Sequence, residues 1–343
     1  MIRVLKAIDA HAGGQPLRLI VDGFPRPHGR TALQQQDWVK RNADVLRRAV
    51  VLPPRGHEDM TAALLTEPVS PQAHAGLLLM DATGYPSMSG HGVIAATTIA
   101  IERALLFSRD FNHAEATVLF DTHAGLVKAR ARMIAHRDGP RVDAITMTNV
   151  PAFVHAASEP VKIGTRQLRV DVAFGGAFYA IVDTEATGVP LIAARLPDLR
   201  RLAMDICSSL GGGLVPEHPA NPGLAGIAGV IFTGPPRDPE AHLRNVTVTA
   251  AGAVDLSASG TGTSAVMAVL DAMGLLPEGE PFVHEGLSGS LLRGRVAGRV
   301  RLDETTAIVT EIEGSAWITG EHTLLLDDDD PFREGLTAGA LNQ

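Results

Sequence analysis

Two short stretches of this chain carry residues that could move a proton. Met88-Ser89-Gly90-His91-Gly92 and Ala258-Ser259-Gly260-Thr261-Gly262 both read Ser-Gly-X-Gly. Each runs into an apolar, alanine-rich segment, from Val93 and from Thr263. Both segments are long enough for a helix and apolar nearly all round, so two buried helices are expected. A small hydroxyl before a glycine-rich helix start sits where backbone N–H groups and the positive end of the helix dipole collect. Such a place favours an anion such as a carboxylate. One such turn is ordinary capping chemistry. Two in matching contexts suggest helix starts that face each other across one small ligand. The chemistry would be proton transfer at the carbon beside a carboxylate, with preorganised donors stabilising the developing charge. A base must then stand within hydrogen-bond reach. Serine is a poor base unless something activates it; a thiol, with a reference pKa of about 8.5, would serve more easily.

Other titratable groups flank the turns. His91 directly follows the first. Asp255 precedes Ser259 by one helical turn and reads either as a partner for a substrate ammonium or as a turn carboxylate. His57, within Arg55-Gly56-His57-Glu58-Asp59, reads as a loop residue, and His284-Glu285 as a strand-end pair. His11, in a glycine-rich connection, is a candidate hydrogen-bond partner for a ligand hydroxyl. The histidines are scattered without metal-ligand spacing. No Gly-x-Gly-x-x-Gly in a strand-to-helix context and no Walker loop is present, so a site without metal or cofactor is expected.

The elements that must position these groups follow from pattern. The chain has 343 residues, enough for two domains, and 45% hydrophobic content but only 4% aromatic, so its cores are aliphatic and alanine-rich. A formal charge of −8 argues against a nucleic-acid surface. No apolar run reaches membrane-span length and no signal-peptide pattern opens the chain, so a cytoplasmic protein is expected. The one cysteine, Cys207, excludes an intrachain disulfide and reads as a buried, inert thiol. Strands are expected at 1–8, 17–21, 62–65, 75–80, 144–150, 246–250 and 316–326, with a hairpin over 118–132. One amphipathic helix is expected over 31–50 and another over 190–210. The run from Asp327 to Asp330 reads as a solvated loop.

The second half repeats the first. Asp9-Ala10-His11-Ala12-Gly13-Gly14 is matched by Asp171-Val172-Ala173-Phe174-Gly175-Gly176, and each is followed by a strand ending Ile-Val-Asp. The offsets from Gly13 to Gly175, Ser89 to Ser259 and Gly125 to Gly289 are similar and in the same order, which points to a duplicated domain.

The same motifs resemble the proline racemase superfamily. The match runs along essentially the whole chain. It includes His11-Ala12-Gly13-Gly14-Gln15-Pro16-Leu17-Arg18, Pro54-Arg55-Gly56-His57-Glu58-Asp59-Met60, Gly84 to Gly92, Phe174-Gly175-Gly176, Asp255 to Thr263 and Gly314 to Gly320. The resemblance implies an α+β fold of two duplicated diaminopimelate-epimerase-like domains. Each would be a curved sheet or barrel around a central helix, with the site in the cleft between them. The domains would be residues 1–140 joined by the tail 315–343, and 141–314. In the family the two turns usually carry cysteines acting as base and acid on opposite faces of the substrate Cα. Carried over, Ser89 and Ser259 take those places, Gly90, His91, Gly260 and Thr261 hold the carboxylate and line the pocket, and Asp255 lies near the substrate amine. This sequence departs at the chemistry, since both cysteines are serine. Gln15 replaces the usual glutamate and Ala177 the usual asparagine. Dehydration needs only one base at Cα, and a hydroxyl residue at the second turn resembles the dehydratase branch. The implied activity is cofactor-independent dehydration of trans-3-hydroxy-L-proline to 1-pyrroline-2-carboxylate. The alternatives are a 2-epimerase of a 4- or 3-hydroxyproline, or an imino-acid-binding member without chemistry. The expected partner is a small imino acid, not nucleic acid or membrane, with a homodimer left open.

Overall fold

The computed structural model describes residues 2–106, 114–137, 139–276 and 279–336. The chain divides into two compact units. One comprises residues 1–12, 16–145 and 315–343; the other comprises 13–15 and 146–314.

The first unit begins with β1 (Ile2–Ala12) and β2 (Gln15–Asp22), then α1 (Ala32–Asn42), α2 (Asp44–Val51), β3 (Thr61–Thr66) and β4 (Ala75–Met80). It continues with α3 (Gly90–Glu102), β5 (Glu115–Thr122), β6 (Gly125–His136) and β7 (Gly139–Thr148), the last running into the second unit. The second unit holds β8 (Phe153–Ile163), β9 (Arg166–Phe174), β10 (Phe178–Asp183), α4 (Thr184–Thr187), α5 (Leu196–Gly211), β11 (Glu217–His218) and β12 (Asn221–Ala225). Then come β13 (Ile227–Gly234), β14 (Leu243–Thr249), β15 (Val254–Asp255), α6 (Gly260–Ala272), β16 (Phe282–Gly286), β17 (Leu291–Leu302) and β18 (Thr305–Gly314). The chain returns to the first unit as β19 (Ala316–Asp327).

Both units wind their sheet in the same order. β1 lies antiparallel to β19, β2 parallel to β3, β3 antiparallel to β4, β4 parallel to β5 and β5 antiparallel to β6. In the second unit β9 lies antiparallel to β8, β10 parallel to β13, β13 antiparallel to β14, β14 parallel to β16 and β16 antiparallel to β17. The match reaches side chains. His74 Nδ1 accepts from the Leu119 amide ahead of β4, and His242 Nδ1 accepts from the Val283 amide ahead of β14. Asp121 accepts from the Val69 and Ser70 amides, and Glu285 from those of Arg237 and Asp238.

In each unit the sheet curves around one helix. α3 packs on β1, β3, β6 and β19, and α6 on β8, β9, β10, β17 and β18. Val93, Ile94, Ile99, Ala265 and Met267 are sealed from solvent. Each large one contributes about 1.5–3 kcal/mol by leaving water.

Three expectations change. The connection at 9–16 is only a tight turn, because β1 pairs with β19 as far as Ala12. Gly13 and Gly14 turn it with φ of 60° and 88°, where a side chain would be strained. The helix expected over 31–50 is two, broken at Ala43 (φ −143°, ψ 15°). The break starts a new helix at Asp44, where a carboxylate is favoured, and that carboxylate binds Arg47 and the Tyr85 hydroxyl. His284-Glu285 lies inside β16 rather than at its end, and both side chains are buried. Cys207 is half-buried on α5, and burial pushes its thiol up to about 11. Asp330 of the acidic run pairs with Arg55. Among the described residues no helix is long and apolar enough to cross a membrane.

Candidate active site

The first unit brings Ser89, Gly90 and His91 together at the start of α3. Ser89 is the N-cap, extended at φ −147° and ψ 119°, and its Oγ accepts from the Gly92 amide at 3.1 Å. The residue is 8% exposed. Its Oγ stands 3.1 Å from His91 Nδ1 and 3.4 Å from Nε2. Each ring lone pair points away from the other nitrogen, so an oxygen nearly equidistant from both is off the axis of either. Oγ therefore lies over the ring face, and the imidazole must rotate to aim one nitrogen at it. His91 Nε2 also meets Thr61 Oγ1 at 3.3 Å. The loop that delivers Ser89 is pinned from α2. Arg47 donates to the Asp81 and Ala82 carbonyls and lies over the Tyr85 ring, while Asp81 accepts from the Thr83 and Gly84 amides.

The second unit brings Asp255, Ser259, Gly260 and Thr261 together at the start of α6. Ser259 caps that helix too, accepting from the Gly262 amide at 3.3 Å. Its backbone differs sharply: φ is 55° and ψ 109°. A serine held there costs roughly 1–3 kcal/mol, and such outliers cluster at functional sites. Hydrogen bonds flank it on both sides. The Ser259 amide donates to Ser257 Oγ, and Ser257 donates from both its amide and hydroxyl to Asp255 Oδ1. Oδ1 of Asp255 therefore serves the turn. On the other side, the Ala258 carbonyl accepts from Thr263 Oγ1 at 2.9 Å and Asn245 Nδ2 at 2.8 Å. Gly286 lets this turn lie close, since a Cβ there would stand 2.5–2.7 Å from backbone atoms of residues 256–258. Thr261 Oγ1 is 2.8 Å from the hydroxyl of Tyr179, which burial pushes up to about 12 and so keeps protonated.

Sequence reasoning missed Thr61, Ser257, Tyr179 and Asn245. Ser257 and Tyr179 left a trace, the first as a hydroxyl two residues before Ser259 and the second as a lone phenol in an apolar strand. Of the flanking candidates, His57 Nδ1 accepts from the Asp59 amide within its own loop, and His11 stacks on Trp317. Gln15 is buried and accepts from the Leu256 amide at 3.3 Å.

Burial pulls His284 down to about 3 from 6.5, and also lowers His123 and His218. A histidine depressed in the fold takes up its proton first in the unfolded chain. Its contribution to stability is therefore complete above about pH 6.5 and is lost as pH falls from there toward 3. Unfolding free energies from urea titrations at pH 7 and pH 4 should differ by roughly a few kcal/mol, and His284→Phe should reduce that difference. An unchanged difference would show that His284 is not the source.

A family model described as proline racemase matches residues 7–337. The chain belongs to the proline racemase family. Within it, a trans-3-hydroxy-L-proline dehydratase of Bacillus cereus is 36% identical over 337 residues, covering 98% of this chain and 99% of that one. A proline racemase of Clostridioides difficile is 33% identical over 335 residues, covering 97% and 98%. The structure of a hydroxyproline epimerase from Agrobacterium vitis with bound trans-4-hydroxy-L-proline matches with a TM-score of 0.89 at 30% identity, covering 98% of this chain and 95% of that one. The proline racemase fold, α+β with a curved mixed sheet, is thus the fold of this chain. Relatives in the family are named as dehydratases, racemases and epimerases.

Proposed function

We propose that this chain dehydrates trans-3-hydroxy-L-proline to 1-pyrroline-2-carboxylate without a cofactor. One observation carries the reading: the two serine turns are chemically unequal. Ser89 Oγ lies against the imidazole of His91. Among the described residues Ser259 Oγ is bonded by the Gly262 amide, and the nearby imidazole of His284 meets Thr263 instead. In this reading the His91 imidazole rotates to present a nitrogen to Ser89 Oγ, which makes one hydroxyl basic and suits a reaction with one proton abstraction at Cα. Ser89, assisted by His91, takes the Cα proton. The Cα–H electron pair forms the Cα–Cβ double bond as the 3-hydroxyl leaves. Cα–H and the 3-hydroxyl lie on the same face of trans-3-hydroxy-L-proline, so the proton taken by Ser89 leaves with the hydroxyl as water. The enamine then tautomerises to the imine as Ser259, on the other face, relays a proton from the ring nitrogen to C3. Gly90, His91, Gly260 and Thr261 hold the carboxylate and line the pocket, and Asp255 meets the substrate ammonium.

The second reading is a hydroxyproline 2-epimerase. It is favoured by the strained backbone of Ser259, which aims a second hydroxyl at a defined point, and by the epimerase structure with bound trans-4-hydroxy-L-proline. Proton NMR in deuterium oxide with trans-3-hydroxy-L-proline, trans-4-hydroxy-L-proline and L-proline, each beside a Ser89→Ala control, separates them. Loss of the first substrate to an imine, absent in the control, is the expected result. Deuterium at Cα with a new diastereomer would replace dehydration by epimerisation, and no change with any substrate would reject both.

A further inference from the structure

We propose that Thr263, His284 and Asn245 are positioning residues that hold Ser259 in its left-handed backbone conformation and so fix where its hydroxyl stands for proton transfer. The role of Ser259 in that transfer rests on the function proposed above; the control of its backbone does not.

The three side chains form one buried polar cluster beneath the turn, each with 0% exposure. Thr263 Oγ1 and Asn245 Nδ2 both donate to the Ala258 carbonyl, the peptide that enters Ser259. His284 backs the two, with Nδ1 2.9 Å from Thr263 Oγ1 and its ring against Asn245 Nδ2, which stands 3.0 and 2.9 Å from the two ring nitrogens. Two donors on one carbonyl fix the orientation of that peptide plane, and the plane sets φ of the next residue. From the opposite side Ser257 Oγ takes the Ser259 amide. The turn is thus gripped before and after its strained residue.

The duplication supplies an internal control. The parallel register pairs Ala75 with Phe120 in the first unit and Leu243 with His284 in the second. Phe120 therefore occupies the position of His284, and Leu77 that of Asn245. Val93 follows Ser89 by as many residues as Thr263 follows Ser259. The equivalent positions in the first unit are thus Val93, Leu77 and Phe120, all apolar and buried, and Ser89 is extended. The second turn rests on Thr263, Asn245 and His284, and Ser259 is left-handed. The fold is built equally well on the apolar set, so it does not require the polar one. A buried polar cluster also carries a cost, since Asn245 Oδ1 has no partner among the described residues. What the polar set provides in exchange is the Ala258 carbonyl grip, which the apolar set cannot make.

The test gives the second turn the residues of the first. Thr263→Val, near in volume, and separately His284→Phe are compared with Thr263→Ser, which keeps the hydroxyl. Crystal structures read φ of Ser259, and kinetics read turnover of trans-3-hydroxy-L-proline with Cα exchange. In Thr263→Val the expected result is a Ser259 φ outside the left-handed region and a kcat lower by on the order of 100-fold, with KM within about twofold. Thr263→Ser should restore both, and His284→Phe should follow Thr263→Val. A left-handed Ser259 surviving in both Thr263→Val and His284→Phe overturns the proposal. So does a shifted φ with unchanged kcat, or an equal loss in Thr263→Val and Thr263→Ser. If the unaltered protein turns over no imino acid, the proposed function fails while the backbone readout still decides the grip.

Discussion

Replacing Ser89 by alanine is expected to lower Cα proton removal by about 10³-fold or more, because it deletes the proposed base and leaves nothing at the same point to accept the proton. The effect should fall on kcat, with KM little changed, since the backbone N–H groups at the start of α3 do not depend on the side chain. Alanine also removes a helix cap, at about 1 kcal/mol. A urea midpoint measured alongside separates that loss from the chemical one. Ser89→Cys is the informative companion. A thiol ionises far more readily than a hydroxyl, so this variant should retain Cα exchange and depend less on His91. The base assignment would be falsified if Ser89→Ala kept more than about a tenth of the parent kcat, because loss of a true general base is rarely so mild.

The largest stability effect is expected at Glu285. Its carboxylate is buried beside the Arg244 guanidinium, with Arg244 Nε 3.2 Å from Glu285 Oε1 and side-chain exposures of 5% and 3%. It also accepts from the amides of Arg237 and Asp238. Glu285→Leu would leave a buried cation and two backbone donors without their acceptor, which costs about 3–5 kcal/mol. Glu285→Gln keeps one acceptor oxygen and should cost clearly less. The guanidinium stays anchored in both variants, because Arg244 Nη1 and Nη2 donate to the Leu191 and Leu287 carbonyls. Urea unfolding followed by far-ultraviolet circular dichroism measures the two. Equal costs, or a Glu285→Leu cost below about 1 kcal/mol, would show that the pair and its amide bonds contribute little, as exposed pairs do. Asp121 performs the same amide-accepting task in the first unit without a buried arginine beside it, since Gly76 stands where Arg244 does.

The sequence by itself determined the local chemistry. Ser-Gly-X-Gly before an apolar segment dictates a capped helix start, because a small oxygen must satisfy an amide of the first turn and glycine lets the chain turn tightly. Two copies, together with the repeated Gly-Gly turns, made the duplication legible, and the apolar girth of both segments made the central helices legible. Register and backbone conformation were decided only by tertiary structure. No local pattern says that His284 lies under the Ser259 turn, because the placement depends on β14 pairing in parallel with β16 and on which residues that register sets side by side. The offset that matches Gly125 to Gly289 also matches Asp121 to Glu285, but that both accept from the amides of a neighbouring loop shows only in the fold. The left-handed φ of Ser259 is likewise invisible in sequence. Both turns begin with the same Ser-Gly pair, and what separates an extended serine from a left-handed one is the set of donors packed beneath it, drawn from β14, α6 and β16.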